Sequence, residues 1–171
     1  MTATASLDRR TTVLAPSLYR IEVLRQLRNP FTLVFTLAMP VGMYLMFGGL
    51  ASWGDEPMPG GNVKFQVMTS MAAFGTATAM SSLCSLAASE VRQGWGRQIA
   101  MTPVSILGYA GTKVVAALTF ASIATGGVMI AGVLTGATAS DPLSWPVSII
   151  VVLLGGIVFG LWGMGVGMLL N

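Results

Sequence analysis

At 171 residues, with 54% of them hydrophobic, only 9% charged and a mean hydropathy of +0.76, the chain lacks the roughly one-quarter charged content of a soluble domain. Its net charge of +3 and pI near 9.5 come from basic residues flanking apolar runs, a pattern that anionic lipid explains without nucleic acid. Histidine is absent and Cys84 is alone, which excludes a disulfide framework, a zinc site and a Cys–His nucleophile.

Residues 1–16 are polar, end at Pro16 and read as a cytoplasmic tail. From 17 to 29 the sequence SLYRIEVLRQLRN places Ile21, Val23, Leu24 and Leu27 on one helical arc, with Arg20 and Arg28 inside it. This predicts an interfacial helix whose arginines snorkel to phosphates, making Arg20, Arg25 and Arg28 membrane anchors. Pro30 separates that helix from the first apolar run.

Four stretches then carry no Asp, Glu, Lys or Arg: Phe31 to Gly54, Phe65 to Ser89, Val114 to Ser140 and Pro142 to Asn171. At about 1.5 Å rise per residue each exceeds the roughly 30 Å hydrocarbon core. Lipid offers no hydrogen-bond partners, and the period-2 alternation of a barrel is missing, so the expectation is an all-α integral membrane protein. The transmembrane domain is placed at 31–171, with spans at about 31–52, 65–89, 106–136 and 146–170. A cleaved leader is disfavoured, because the first apolar run is too long and its basic prelude too extended.

Within the first run, Pro40 removes a backbone bond and predicts a distortion. The loop after it, ASWGDEPMPGGNVK, reads as an exposed turn region with Asp55 and Glu56 solvated. Eight of the nine basic residues fall before the first span or between the second and third, and only Lys64 falls elsewhere. This bias puts the N-terminus and the 90–113 segment in the cytoplasm, with Trp53 and Trp145 anchoring the outer boundary. Small residues recur at four-residue spacing: Ala73, Ala77 and Ser81; Gly132 and Gly136; Gly156 and Gly160; Gly163 and Gly167. They predict close helix packing. The methionines serve as gap-fillers. The hydroxyls of Thr76, Thr78, Ser81, Ser82 and Ser85, and of Thr119, Ser122 and Thr125, either line a polar cleft or bond back to their own helix carbonyls.

The most specific stretch is the cytoplasmic segment 90–105: Glu90, Arg92, Gly94, Trp95, Arg97, Gln98, Ile99, Thr102, Pro103, Val104 and Ser105, with Tyr109 and Lys113 beyond it. An exposed tryptophan among charges, closed by a threonine that can cap and a proline that can start the third helix, suits docking against a cytoplasmic partner. In that order these residues resemble the permease subunits of type-2 ATP-binding-cassette exporters, of the drug- and antibiotic-export branch. The chain departs from that pattern in having Val91 between the acid and Arg92. The basic helix before Arg28-Asn29-Pro30 is also similar to the start of that family's chains.

The resemblance implies that residues 91–102 form a coupling helix seated in a separate ATPase subunit, contacted by Trp95, Arg97 and Ile99. Glu90 and Lys113 would form a charged girdle at the inner mouth. It further implies a second permease copy or paralogue as partner, membrane lipid around the bundle, and a multi-pass place in the plasma or inner membrane. The family normally has six spans, so these four are expected to be the first four. No phosphate loop is present, since Gly108-Tyr-Ala-Gly111-Thr-Lys113 has the wrong spacing, so no cofactor is expected in this chain. ATP and Mg would sit on the partner, and no catalytic or metal-binding residue is assigned here. Two other classes stay open at this point. A membrane-embedded lipid-modifying enzyme would need converging acids, whereas Glu90 and Asp141 sit at opposite faces. A four-span scaffold or immunity protein would bind a partner without transport.

Overall fold

A computed structural model describes residues 16–95, 97, 101 and 105–169, and these form an all-α membrane protein. Helix α1 (Pro16–Leu27) is followed by α2 (Pro30–Gly49), α3 (Val63–Glu90), α4 (Ile106–Thr135) and α5 (Ser144–Leu169). The last four are each long and apolar enough to cross a membrane. Two short antiparallel strands, β1 (Pro57–Met58) and β2 (Gly61–Asn62), form a hairpin in the loop between α2 and α3.

Local chemistry sets the helix starts. Asn29 accepts hydrogen bonds from the backbone N–H groups of Phe31 (3.1 Å) and Thr32 (3.4 Å), with Pro30 at the first helical position of α2. In α2 the residues Val34–Ala38 form a widened π turn directly ahead of Pro40. The proline ring would clash with the carbonyl four residues back in a regular helix, so the expected distortion takes this form. A second π turn, Leu45–Gly49, closes the helix. Helix α4 begins at Ile106, where Ser105 accepts from the Gly108 N–H at 3.0 Å. That start agrees with the expected span of 106–136, a serine in extended geometry satisfying one of the first-turn donors. Thr102 and Pro103 lie outside the described residues.

Helix α3 is the centre of the bundle, and α5 lies along it through glycines. A Cβ on Gly163 would fall 2.5 Å from the Ser81 carbonyl oxygen and 2.8 Å from its Cα, and one on Gly167 would fall 2.8 Å from the Ala88 Cβ. Gly156 and Gly160 approach Thr76, Met80 and Cys84 as closely. Two members of the expected small-residue pattern act otherwise: Ala73 is exposed, and Gly136 (φ 85°) ends α4 in the left-handed region. Pro40 is buried against Gly75, where a Cβ would lie 2.9 Å from the ring. The half of the core nearer the β-hairpin gathers Tyr44, Phe65, Met68, Ala72, Val128, Met129, Ala137 and Val152. The half nearer Glu90 gathers Ala79, Met80, Leu83, Cys84, Ala117, Phe120 and Ala121.

The hydroxyls divide as their surroundings dictate. Thr78, Ser82 and Thr119 donate to carbonyls of their own helices, while Thr76 and Thr125 bond each other across α3 and α4 at 2.8 Å. At the β-hairpin end, Asn62 ties three pieces together. Its Oδ1 accepts from Phe65 N and Thr138 N, and its Nδ2 donates to the Gly136 carbonyl, each at 3.0 Å. Asp55 is paired with Lys64 at 2.7 Å, so the expected solvated acid has a partner. Trp145 packs edge-on against Phe65, 5.3 Å between ring centroids, whereas Trp53 is exposed.

Because Gly163 faces backbone that cannot rotate away, Gly163→Ala should destabilise the bundle by about 1–3 kcal/mol through overpacking. Gly155, on the same helix, has nothing within 4 Å of its Cβ position. Gly155→Ala should therefore unfold at or above the wild-type midpoint in detergent, gaining up to about 1 kcal/mol of helix propensity.

Candidate functional site

At one end of the bundle, seven polar side chains from four helices form a continuous network, largely buried but for the half-exposed Arg25. Lys113 of α4, only 5% exposed, lies between two carboxylates, 2.5 Å from Glu22 Oε2 of α1 and 2.6 Å from Glu90 Oε2 of α3. Arg25 of α1 bridges the same pair from the other side, 3.0 Å from Glu22 Oε1 and 2.6 Å from Glu90 Oε1. The Tyr109 hydroxyl donates to Glu90 Oε2. Gln26 donates to Glu22 at 2.9 Å and accepts from the Thr32 hydroxyl of α2 at 3.3 Å.

The arrangement follows from where each helix ends. Glu90 is the last residue of α3 and Lys113 lies two turns into α4, so the two charges sit at one level beside the same loop. Helix α1 brings Glu22 and Gln26 one turn apart on the face it buries, and Tyr19 on that side bonds Thr119 at 3.0 Å. Two cations against two carboxylates leave no net charge. Every carboxylate oxygen of Glu22 and Glu90 already contacts a cation, so the pair is not arranged to ligate a metal ion. Among the described residues no group of three or more His, Cys, Asp or Glu comes together. For the Arg25 guanidinium, burial works against the charged form, but the carboxylates of Glu90 and Glu22 outweigh it and hold its pKa above the ordinary value. Leu18, Ile21, Thr112 and Trp95 complete the walls of a cleft of about 60 Å³, room for water and not for a substrate.

The residues singled out in the sequence fall around this network in different ways. Glu90 and Lys113, the expected girdle, are in direct contact. Gly94 has φ 96° and kinks the chain within the segment Val91–Trp95, a conformation that favours glycine and gives its place in the motif a backbone reason. Trp95, 46% exposed, stands at the rim of the cleft, and Arg97 is exposed. Gln98, Ile99, Thr102 and Pro103 lie outside the described residues, as does the side chain of Arg92. Of the three arginines read as membrane anchors, Arg20 and Arg28 are exposed, while Arg25 is spent on the two carboxylates.

Sequence reasoning missed Glu22, Gln26 and Thr32. The available signal was Glu22 itself, an acid amid the arginines of a helix expected to lie on phosphates. Compared with protein-family models, with curated proteins and with solved structures, the chain matches none.

Removing Lys113 leaves two buried carboxylates sharing one half-exposed cation. Lys113→Met should cost about 3–5 kcal/mol of unfolding stability, the range for breaking a buried ion pair on one side. Adding Glu22→Gln to that chain should restore part of the loss, since it removes one orphaned charge; denaturant titration in micelles measures both.

Proposed function

We propose that the chain is a transmembrane permease subunit of an ATP-driven exporter in the cell membrane, with its N-terminus in the cytoplasm. The observation that carries this reading is the buried ion network: it joins α1, α2, α3 and α4 at the same end of the bundle where the Gly94–Trp95 turn leaves α3. A displacement of that turn would reach Glu90 through the last residues of α3. Through Lys113 and Arg25 it would then reach α4 and α1. A bundle of greasy helices slides easily, whereas a neutralised charge cluster moves as a unit, because separating any member strands a charge in a low-dielectric surrounding.

The ordered motif from Glu90 to Ser105 supports the same reading, as does the concentration of Lys and Arg beside this end. In this scheme ATP and Mg are held by a separate ATPase subunit, which grips the segment around Trp95 and Arg97. A second permease copy or paralogue completes the pathway for an amphipathic drug or lipid. Energy enters because the ATPase contacts the inward-open and outward-open arrangements differently, the only way a partner can shift such an equilibrium. A lipid-modifying enzyme would need a free acid at this face, and both Glu22 and Glu90 are held by cations.

The test is capture of an ATPase encoded beside this chain. Wild-type protein should co-purify it, and the double variant Trp95→Ala with Arg97→Glu should weaken capture by an order of magnitude or more. Aromatic and arginine anchors each carry about 2 kcal/mol or more at such interfaces. Membrane insertion should be unchanged in the variant. Full retention of the ATPase would remove the coupling role from this segment.

A further inference from the structure

The ion network accounts for one face of α1 and leaves the other unexplained. At about 100° per residue, Ser17, Arg20, Ile21, Leu24, Leu27 and Arg28 fall within an arc of about 120°, opposite Tyr19, Glu22 and Gln26. All six are exposed, Ile21 most of the aliphatics at 61%, although one side of it also borders the cleft beside the ion network. Arg20 and Arg28 form no ion pair among the described residues. The helix is thus inverted relative to one on a soluble domain, with its acid and amide turned inward and its aliphatics outward.

Neither bulk phase suits that face. Water would leave three large aliphatics hydrated, and hydrocarbon would bury two uncompensated guanidiniums. The headgroup layer satisfies both, with aliphatics among acyl chains and arginines at phosphates. The apolar surface continues from Leu27 past Arg28 onto Phe31 and Val34 of the first spanning helix, both exposed, so the cationic patch borders a lipid-facing wall.

We propose that this face of α1 is a binding surface for anionic phospholipid headgroups, held by Arg20 and Arg28 with Ile21, Leu24 and Leu27 inserted beside them. Binding there presses α1 onto the bundle from outside while the ion network holds it from within. The inference needs only the membrane-spanning fold and stands apart from the exporter reading.

The experiment places the full chain in nanodiscs of phosphatidylcholine, with or without phosphatidylglycerol, and reads the unfolding midpoint and the lipid retained on purification. Wild type should unfold higher with phosphatidylglycerol present and retain it selectively. In Arg20→Gln with Arg28→Gln the shift should vanish and retention should fall about tenfold or more, since each arginine near an anionic surface contributes about fivefold. Arg20→Lys with Arg28→Lys should keep most of the response, and each single Gln variant should lose part of it if the double variant does not fold. An unchanged phosphatidylglycerol response in the Gln variants would overturn the proposal. So would inorganic phosphate reproducing the stabilisation in phosphatidylcholine, which would mark a soluble-anion site. Loss of ATPase capture with the lipid response intact would count against the exporter reading alone.

Discussion

A lysine buried this far must be neutralised where it stands, and Lys113 meets that requirement by drawing two carboxylates from two other helices onto one ammonium group. Each of those carboxylates then needs more than a shared cation. Arg25 and Tyr109 supply the remainder, and Gln26 and Thr32 complete the chain of bonds to the first turn of α2. Among the described residues, no buried side-chain nitrogen or oxygen is left without a partner. The position of α1 follows from this requirement, because its acid and amide have nowhere else to be satisfied.

The rest of the bundle is held by a different force. In lipid, apolar side chains gain nothing by preferring each other to acyl chains, so helices associate through close contact and through the few hydroxyl pairs they can form. The glycines of α5 supply the close contact on one side of α3, and the Pro40–Gly75 fit supplies it on another. The Thr76–Thr125 bond and the contact between the Tyr44 and Thr135 hydroxyls add polar links between helices at mid-span and at the β-hairpin end. Packing of this kind is strong along the helix faces and weak in direction, which is why the charge cluster at one end and the Asn62 ties at the other matter for register. They are the two places where a shift along the axis breaks directed bonds.

Helix α1 connects these two regimes. Its buried face takes part in the directed bonding of the cluster, and its exposed face carries aliphatics and arginines suited to the membrane surface. A single helix of twelve residues thereby joins the charge cluster at one end of the bundle to an exposed surface of aliphatics and arginines.

Much of this was legible in the residues taken one run at a time. Charge-free stretches longer than the bilayer core require helices whatever their neighbours, so four spans and their approximate ends follow from composition alone, and Asn29-Pro30 marks a helix start by its own chemistry. The partner of each charge was not legible in this way. Arg25 reads as a phosphate-seeking residue because its sequence neighbours are arginines and aliphatics, and only the approach of α3 and α4 brings Glu90 within 2.6 Å of it. Glu22 stands out locally as an acid among arginines, but its partner Lys113 lies 91 positions away along the chain, so the pairing itself could not be read there. The same holds for the small residues: the pattern announces close packing, but which glycines meet another helix, as Gly163 does, and which end one, as Gly136 does, depends on how the helices rotate about their axes. Hydrophobicity is a property of a segment and so is written in the sequence, whereas pairing is a property of two segments and is decided only when the tertiary structure sets them side by side.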